Sequence, residues 1–294
     1  MNDRGKAVQG MVVKAYGGYF YVQEGDRVWE CASRGRFRYE KQEVLVGDRV
    51  ELLARSKNAG VIVKVLPRYS RLTRPPVANV DQTVLVMSLC QPEPNAGLLD
   101  RLLIAADINQ IDPVICFNKL DICAREDMLL PARYRDLYPV VLASAVTGAG
   151  LDLLRQHMQG RLSVFAGPSG VGKSTILNAL IPDLQLKTGD ISQKLKRGRH
   201  TTRHVELIVL PDGGLVADTP GFSSLDLPEM KPGELAGFFP EMDQFQGLCR
   251  FNGCLHDQEP DCVVKEAVAN GAIEPSRYRQ YIDFLNELKG RRRY

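Results

Sequence analysis

No stretch of this 294-residue chain approaches the roughly 18 consecutive apolar residues that a membrane-spanning helix needs. The segment Met1 to Gly10 is polar and lacks the apolar run of a secretory leader. A strong excess of either sign of charge is lacking as well, since the net charge is only +3. That bias is too weak to establish a nucleic-acid partner by itself. Internal repeats and low-complexity tracts are missing, which excludes solenoid and linker-like architectures. These absences leave a soluble globular protein, expected in the cytoplasm without membrane contact, where disulfides are rare. At this length the chain has room for two or three domains.

What is present changes character along the chain. Residues 1–70 read as short strands separated by turn signals. Val12-Val13 and Tyr19 to Val22 flank Gly17-Gly18, and Val28 to Cys31 follows. Val44 to Val46, Arg49 to Leu52 and Val61 to Val65 complete a pattern that predicts a small closed barrel, an OB-fold being one candidate. Pro67, Pro75 and Pro76 mark a linker carrying Arg68, Arg71 and Arg74. Residues 71–228 then alternate apolar strands with helices. Val84 to Met87, Val114 to Phe117, Val140 to Leu142 and Leu162 to Ala166 are runs of the kind a parallel sheet buries on both faces. Leu99, Leu102, Leu103 and Ala106 define a helical stripe over Leu98–Asn109, and Asp212-Gly213-Gly214 signals a hairpin. This predicts a doubly wound α/β domain. Residues 229–294 form a third, mostly helical unit, with one helix over Cys262–Asn270 and another opening at Pro275.

Gly167-Pro168-Ser169-Gly170-Val171-Gly172-Lys173-Ser174 matches G-x-x-x-x-G-K-[ST] between an apolar strand and a helical run that begins at Thr175. In such a loop the backbone N–H groups face phosphates, Lys173 supplies a point charge to the β- and γ-phosphates, and the Ser174 hydroxyl serves Mg²⁺. Asp218-Thr219-Pro220-Gly221 ends a later strand. A carboxylate there can hold Mg²⁺ through water, and the Gly221 N–H can sense a γ-phosphate. Of Thr201 and Thr202, Thr202 is expected to complete the Mg²⁺ shell.

Asn118-Lys119-Leu120-Asp121 follows the strand Val114 to Phe117. The Asp121 carboxylate can accept from the ring N–H and the exocyclic amine of guanine together, donors that adenine does not offer in that arrangement. Lys119 can lie over the base, and Asn118 can tie this loop to the phosphate loop. Ala143-Ser144-Ala145 ends the next strand, where a backbone N–H of Ser144 or Ala145 can reach the guanine carbonyl oxygen. The base motifs precede the phosphate loop, the reverse of the usual order in P-loop GTPases. The pattern is therefore a circularly permuted GTPase, with GTP preferred to ATP.

Cys249, Cys254, His256 and Cys262 give C-x₄-C-x-H-x₅-C, a donor set suited to one structural Zn²⁺. Cys31, Cys90, Cys116 and Cys123 look scattered and read as small buried hydrophobes. Lys194, Lys196, Arg197, Arg199 and Arg203 form a basic run, read either as a solvated face or as a contact for RNA or phosphate.

These motifs, together with Gly198-Arg199-His200-Thr201-Thr202, resemble the ribosome small-subunit-dependent GTPase family (RsgA, also called YjeQ or YloQ) over nearly the whole chain. The resemblance implies an order of OB-fold, permuted GTPase domain and zinc-bearing domain. It also implies a late assembly factor of the small (30S) ribosomal subunit that binds 16S rRNA, hydrolyses GTP and is stimulated by that subunit. A monomer is expected. Phe222 stands where Ras-like enzymes carry a water-orienting Gln, and the resemblance points to His200 for that role; contact of His200 with RNA or solvent is the other reading. Two further readings of the chain remain: a permuted GTPase acting on the large subunit, and an RNA-binding scaffold whose nucleotide site is regulatory.

Overall fold

The computed structural model describes residues 7–33, 43–73, 75–181, 205–217 and 226–291. Alternation of buried and exposed side chains sets the N-terminal architecture. Val8 and Val12 on β1 (Ala7–Tyr16), Val22 on β2 (Tyr19–Glu24), and Trp29 and Cys31 on β3 (Arg27–Ser33) all point into one core. Val50, Leu52 and Ala54 on β4 (Arg49–Ala54) and Ile62 and Val65 on β5 (Ala59–Val65) complete it. A period of two buries one face of each strand, and the sheet satisfies that face by closing on itself. The closed order is β1-β2-β3-β5-β4, with only β3 and β5 parallel. Val44 to Val46 is buried but is not a strand: Val44 and Val46 join the barrel core, and Val46 forms an isolated bridge to Val77.

The proline-marked connection is itself folded. Arg71–Thr73 (β6) pairs with Pro76–Ala78 (β7). Arg68 is not a surface cation: it donates to both carboxylate oxygens of the fully buried Asp48, at 2.6 and 2.7 Å, and to the Glu43 carbonyl. Arg71 faces the Glu43 carboxylate at 3.7 Å. Arg74 lies outside the described residues.

The central sheet contains β8 (Gln82–Ser88), β9 (Asp112–Asn118), β10 (Val140–Leu142), β11 (Leu162–Ala166), β12 (Leu207–Val209) and β13 (Leu215–Ala217), in the order β10-β9-β8-β11-β13-β12. All neighbours run parallel except β12 against β13. Every residue of β8 and β11 is buried, because helices cover both faces. Leu85 and Met87 meet Leu99, Leu102 and Leu103 of α1 (Ala96–Ile108), whose first turn is capped by the Asn95 side chain at 2.9 Å. The short helix α2 (Leu129–Tyr134) adds Tyr134 to that side. Val84 and Val86 point the other way, toward α3 (Leu151–Met158) and α4 (Lys173–Leu180).

The C-terminal unit packs 3₁₀ segments Pro232–Phe238 and Pro240–Phe245 with α5 (Val263–Ala269) and α6 (Pro275–Arg291). Its core of Leu235, Phe239, Met242, Tyr281, Phe284 and Leu285 also takes in Ile104 of α1. The unit is therefore seated on the outer side of α1.

Candidate nucleotide site and Cys/His centre

The chain leaves β8 toward β9 on one side and later enters β11 on the other. Strand order thus reverses around β8, the place where open α/β sheets bind ligands beyond the carboxyl ends of their strands. Two loops flank that point, one after β9 and one after β11.

The loop after β11 wraps tightly. Gly167 sits at φ +138°, and a Cβ there would lie 2.1 Å from the Val86 carbonyl oxygen. Gly172 sits at φ +94°, and its Cβ would fall 2.3 Å from Nδ2 of Asn118. Asn118 belongs to the other loop. Its amide donates to the Val171 carbonyl at 2.8 Å, while its Oδ1 accepts from Ala145 N at 3.1 Å. One side chain, 2% exposed, thereby joins the base motif, the phosphate motif and the Ser144 segment. Glycine at 172 is required because that amide occupies the space a side chain would need.

Lys173 opens α4, with its ammonium 2.8 and 2.7 Å from the Gly167 and Pro168 carbonyls. Burial lowers its pKa to about 8. Ser174, almost wholly buried, follows in the first turn, and Pro168, Ser169, Gly170 and Thr175 line the same loop and helix start. Helix N-termini present unpaired N–H groups, so this end of α4 suits an anion.

On the base side Lys119 takes a left-handed conformation (φ +73°), which turns the chain into the 3₁₀ segment Leu120–Ile122. Its ammonium donates to the Gln91 carbonyl in the loop after β8. The exposed Asp121 carboxylate accepts from Ser144 Oγ at 2.5 Å, and the same hydroxyl accepts from Thr147 N at 3.1 Å. Ser144 N and Ala145 N already donate within the fold, to Ala149 O and Asn118 Oδ1. A guanine oxygen at this edge would have to share one of these two donors. His200, Thr201, Thr202, Asp218, Gly221 and Phe222 lie outside the described residues, as does the basic run from Lys194 to Arg203.

The second centre is compact. Cys249 Sγ lies 3.6 Å from His256 Nδ1 and 3.8 Å from Cys262 Sγ, and His256 Nδ1 lies 3.4 Å from Cys262 Sγ. Donors bound tetrahedrally at ~2.1–2.3 Å stand roughly 3.5–3.8 Å apart, so the spacing fits Zn²⁺. All four donor atoms, Cys254 included, fall within 4.8 Å of one another. The loop is held by Glu259, whose carboxylate accepts from Leu255 N and Asp257 N, and by Tyr278 and Tyr281, whose hydroxyls donate to the His256 and Leu255 carbonyls. Burial lowers the His256 pKa, favouring the neutral imidazole that ligates.

Sequence reasoning missed two groupings. Cys90 and Cys123 are not isolated hydrophobes: both are half-buried, with sulfurs 2.7 Å apart. Arg277, 4% exposed on its side chain, sits between Asp100 and Glu241. In both cases the partners are 33 or more positions apart, and no periodicity connects them.

Residues 65–228 match the family model described as RsgA GTPase, and residues 9–62 match that of the RsgA N-terminal domain. The chain is 50% identical over 287 residues to the small ribosomal subunit biogenesis GTPase RsgA of Moorella thermoacetica, covering 97% of this chain and 99% of that one. It is 47% identical over 285 residues to the protein of the same name from Carboxydothermus hydrogenoformans, covering 96% and 98%. Among solved structures, YjeQ from Thermotoga maritima superposes with a TM-score of 0.86 at 39% identity, covering 97% of this chain and 99% of that one. YloQ, described as a circularly permuted GTPase, superposes with a TM-score of 0.81 at 39% identity, covering 97% and 96%.

Proposed function

This chain belongs to the RsgA family of GTPases, and from that premise we propose that it hydrolyses GTP as a biogenesis factor of the small ribosomal subunit. The relatives named above carry that function in their names. The observation that supports it most directly is Asn118, which holds a guanine-type loop against a phosphate-type loop at 2.8 Å. In this reading Asp121 pairs with the guanine edge, Lys119 covers the base, and Ser144 orients Asp121. Residues 167–175 cradle the phosphates, with Lys173 pairing their charge. When bound with the nucleotide, Mg²⁺ would supply positive charge to the phosphates. Ser174 and Thr202 would hold it, with Asp218 acting through water and Gly221 reporting on the γ-phosphate. His200 positions the attacking water.

The chain divides functionally into a barrel that binds 16S rRNA (1–70), the permuted GTPase domain (71–228) and the zinc-bearing helical unit (229–294). It acts as a cytoplasmic monomer. Cys249, Cys254, His256 and Cys262 would hold one Zn²⁺; four protein donors fill a tetrahedral shell, so its role is structural. The test is GTP hydrolysis by the full chain with and without purified small subunits. Stimulation by the small subunit supports the proposal. Equal rates in both conditions point to the scaffold reading, and stimulation by large subunits alone points to the other group of permuted GTPases.

A further inference from the structure

Cys90 lies in the loop after β8, between the two nucleotide loops, and Cys123 ends the 3₁₀ turn that completes the base loop. Each sulfur contacts the backbone of that base loop. The Cys123 thiol donates to the Lys119 carbonyl at 2.9 Å, and Cys90 approaches the Ile122 carbonyl at 3.9 Å. Lys119 in turn donates to Gln91, the residue after Cys90. On its far side the same loop reaches the phosphate loop: a Cβ at Gly170 would lie 3.8 Å from Pro92 Cδ.

The molecule contains its own standard for what paired sulfurs mean. In the Cys/His centre, Cys249 and Cys262 stand 3.8 Å apart, the edge expected of a tetrahedron around a metal ion. Cys90 and Cys123 stand at 2.7 Å, too close to share a cation and nearer the S–S bond length of about 2.05 Å. Asp127, the remaining donor within reach among the described residues, already accepts from Ala124 N at 2.8 Å and caps the turn it belongs to.

We propose that Cys90 and Cys123 are an oxidisable dithiol whose disulfide clamps the loop after β8 to the guanine-recognition loop and weakens guanine-nucleotide binding. The binding consequence rests on the assignment of Asn118–Asp121 to guanine. The oxidant is a low-molecular-weight disulfide. The Cys90 thiolate attacks one of its sulfurs, the oxidant's S–S bond breaks, and one small thiolate leaves. Cys123 then gives up its proton, attacks Cys90 Sγ of the mixed disulfide, and releases the second small thiolate. Two electrons pass from the protein sulfurs to the oxidant, and the two cysteine protons end on the two small thiols. Burial pushes the Cys123 thiol up to about 12, so the first attack falls to Cys90. Loss of its S–H removes the donor to the Lys119 carbonyl, at a residue already held in the left-handed region. In a reducing compartment, a disulfide of this kind is characteristically a sensor.

The experiment uses the full, zinc-loaded chain equilibrated with oxidised or reduced glutathione, then acid-quenched, alkylated, digested and mapped by mass spectrometry. GDP affinity is measured on the same samples. The expected result is a Cys90–Cys123 linked peptide that appears on oxidation and disappears with dithiothreitol. GDP binding should weaken about three- to tenfold in the oxidised form, the loss of roughly one hydrogen bond. Cys90→Ser should show no linked peptide and no oxidation effect. Absence of the linked peptide, or equal GDP affinity in both forms, overturns the proposal. So does a zinc content of two per wild-type chain that falls to one in Cys90→Ser, which would make the pair a metal site. If the reduced protein binds no guanine nucleotide, the guanine assignment and the binding consequence both fail, while the linked peptide alone still decides whether the dithiol forms a disulfide.

Discussion

Arg277 of α6 donates to Asp100 of α1, joining the C-terminal unit to the nucleotide-binding domain through a pair that is 4% and 2% exposed. Asp100 also accepts from the Tyr134 hydroxyl at 2.8 Å, and Glu241 takes the other edge of the guanidinium at 2.6 and 3.2 Å. Burial pushes the Asp100 carboxyl up against the pull of Arg277. Tyr134 and Arg277 both engage Asp100 Oδ1, while its buried Oδ2 has no hydrogen-bond partner, so the charge is tolerated through its pairing with Arg277. Arg277→Met would strand two carboxylates, and we expect unfolding in urea to show a loss of about 3–5 kcal/mol. A loss below about 1 kcal/mol would mean that the junction is held by apolar packing alone.

Lys173 gives a pH prediction. Burial lowers its pKa in the free protein to about 8, from an ordinary 10.5, so at alkaline pH it is partly neutral. An arriving phosphate favours the charged form, and binding therefore takes up a proton. Uptake should rise from about half a proton near pH 8 toward one near pH 9.5. Calorimetric titration of GDP in two buffers of different ionisation enthalpy reads this directly. Lys173→Arg, charged throughout, should show none. By the same linkage the free protein should gain stability as pH rises from about 8 toward 10.5, because the unfolded chain binds the extra proton.

Asp121 tests the base assignment. Replacing it with Asn exchanges a double acceptor for an amide that mismatches the two guanine donors. GDP affinity should fall about 10²- to 10⁴-fold, the worth of two charge-assisted hydrogen bonds. Xanthosine diphosphate, which carries a carbonyl where guanine has its amine, should gain relative to GDP. Undiminished GDP binding in Asp121→Asn would remove Asp121 from the site.

The Cys/His centre should hold one zinc per chain by elemental analysis. Chelation should destabilise the C-terminal unit by ~4 kcal/mol relative to zinc present at a thousandfold excess over its Kd. Limited proteolysis should then cut within α5 and α6 while the barrel stays intact. Cys254→Ser should reproduce the effect without chelator.

His200→Ala should lower the subunit-stimulated rate of GTP hydrolysis by about 10²-fold or more, the scale of a positioned proton-transfer group. GTP affinity should be unchanged. Retained stimulation in the variant would assign water positioning to another residue.

Much of the fold was legible because its signals are local. The helix expected over Leu98–Asn109 is observed at Ala96–Ile108, since Leu99, Leu102 and Leu103 fall on one face. The hairpin expected around Asp212-Gly213-Gly214 joins β12 to β13. The nucleotide loops were readable because phosphate wrapping demands glycine at fixed offsets. Arg68 was misread as part of a basic linker because its partner, Asp48, is 20 positions away, and burial of the pair leaves no mark on composition.

By itself, the sequence determined the order of the domains, the permuted order of the motifs and the donor set of the Cys/His centre, all of which depend on residue type and short spacing. Tertiary structure supplied the partners in the link expected of Asn118, which meets Val171 and Gly172, and it alone decided that Arg277 finds Asp100 177 positions away and that Cys90 meets Cys123. Those contacts arise because strand order reverses around β8, which draws the loops after β8, β9 and β11 to a single edge of the sheet. They also arise because α6 packs across α1, where burial offsets the entropic cost of closing so long a loop.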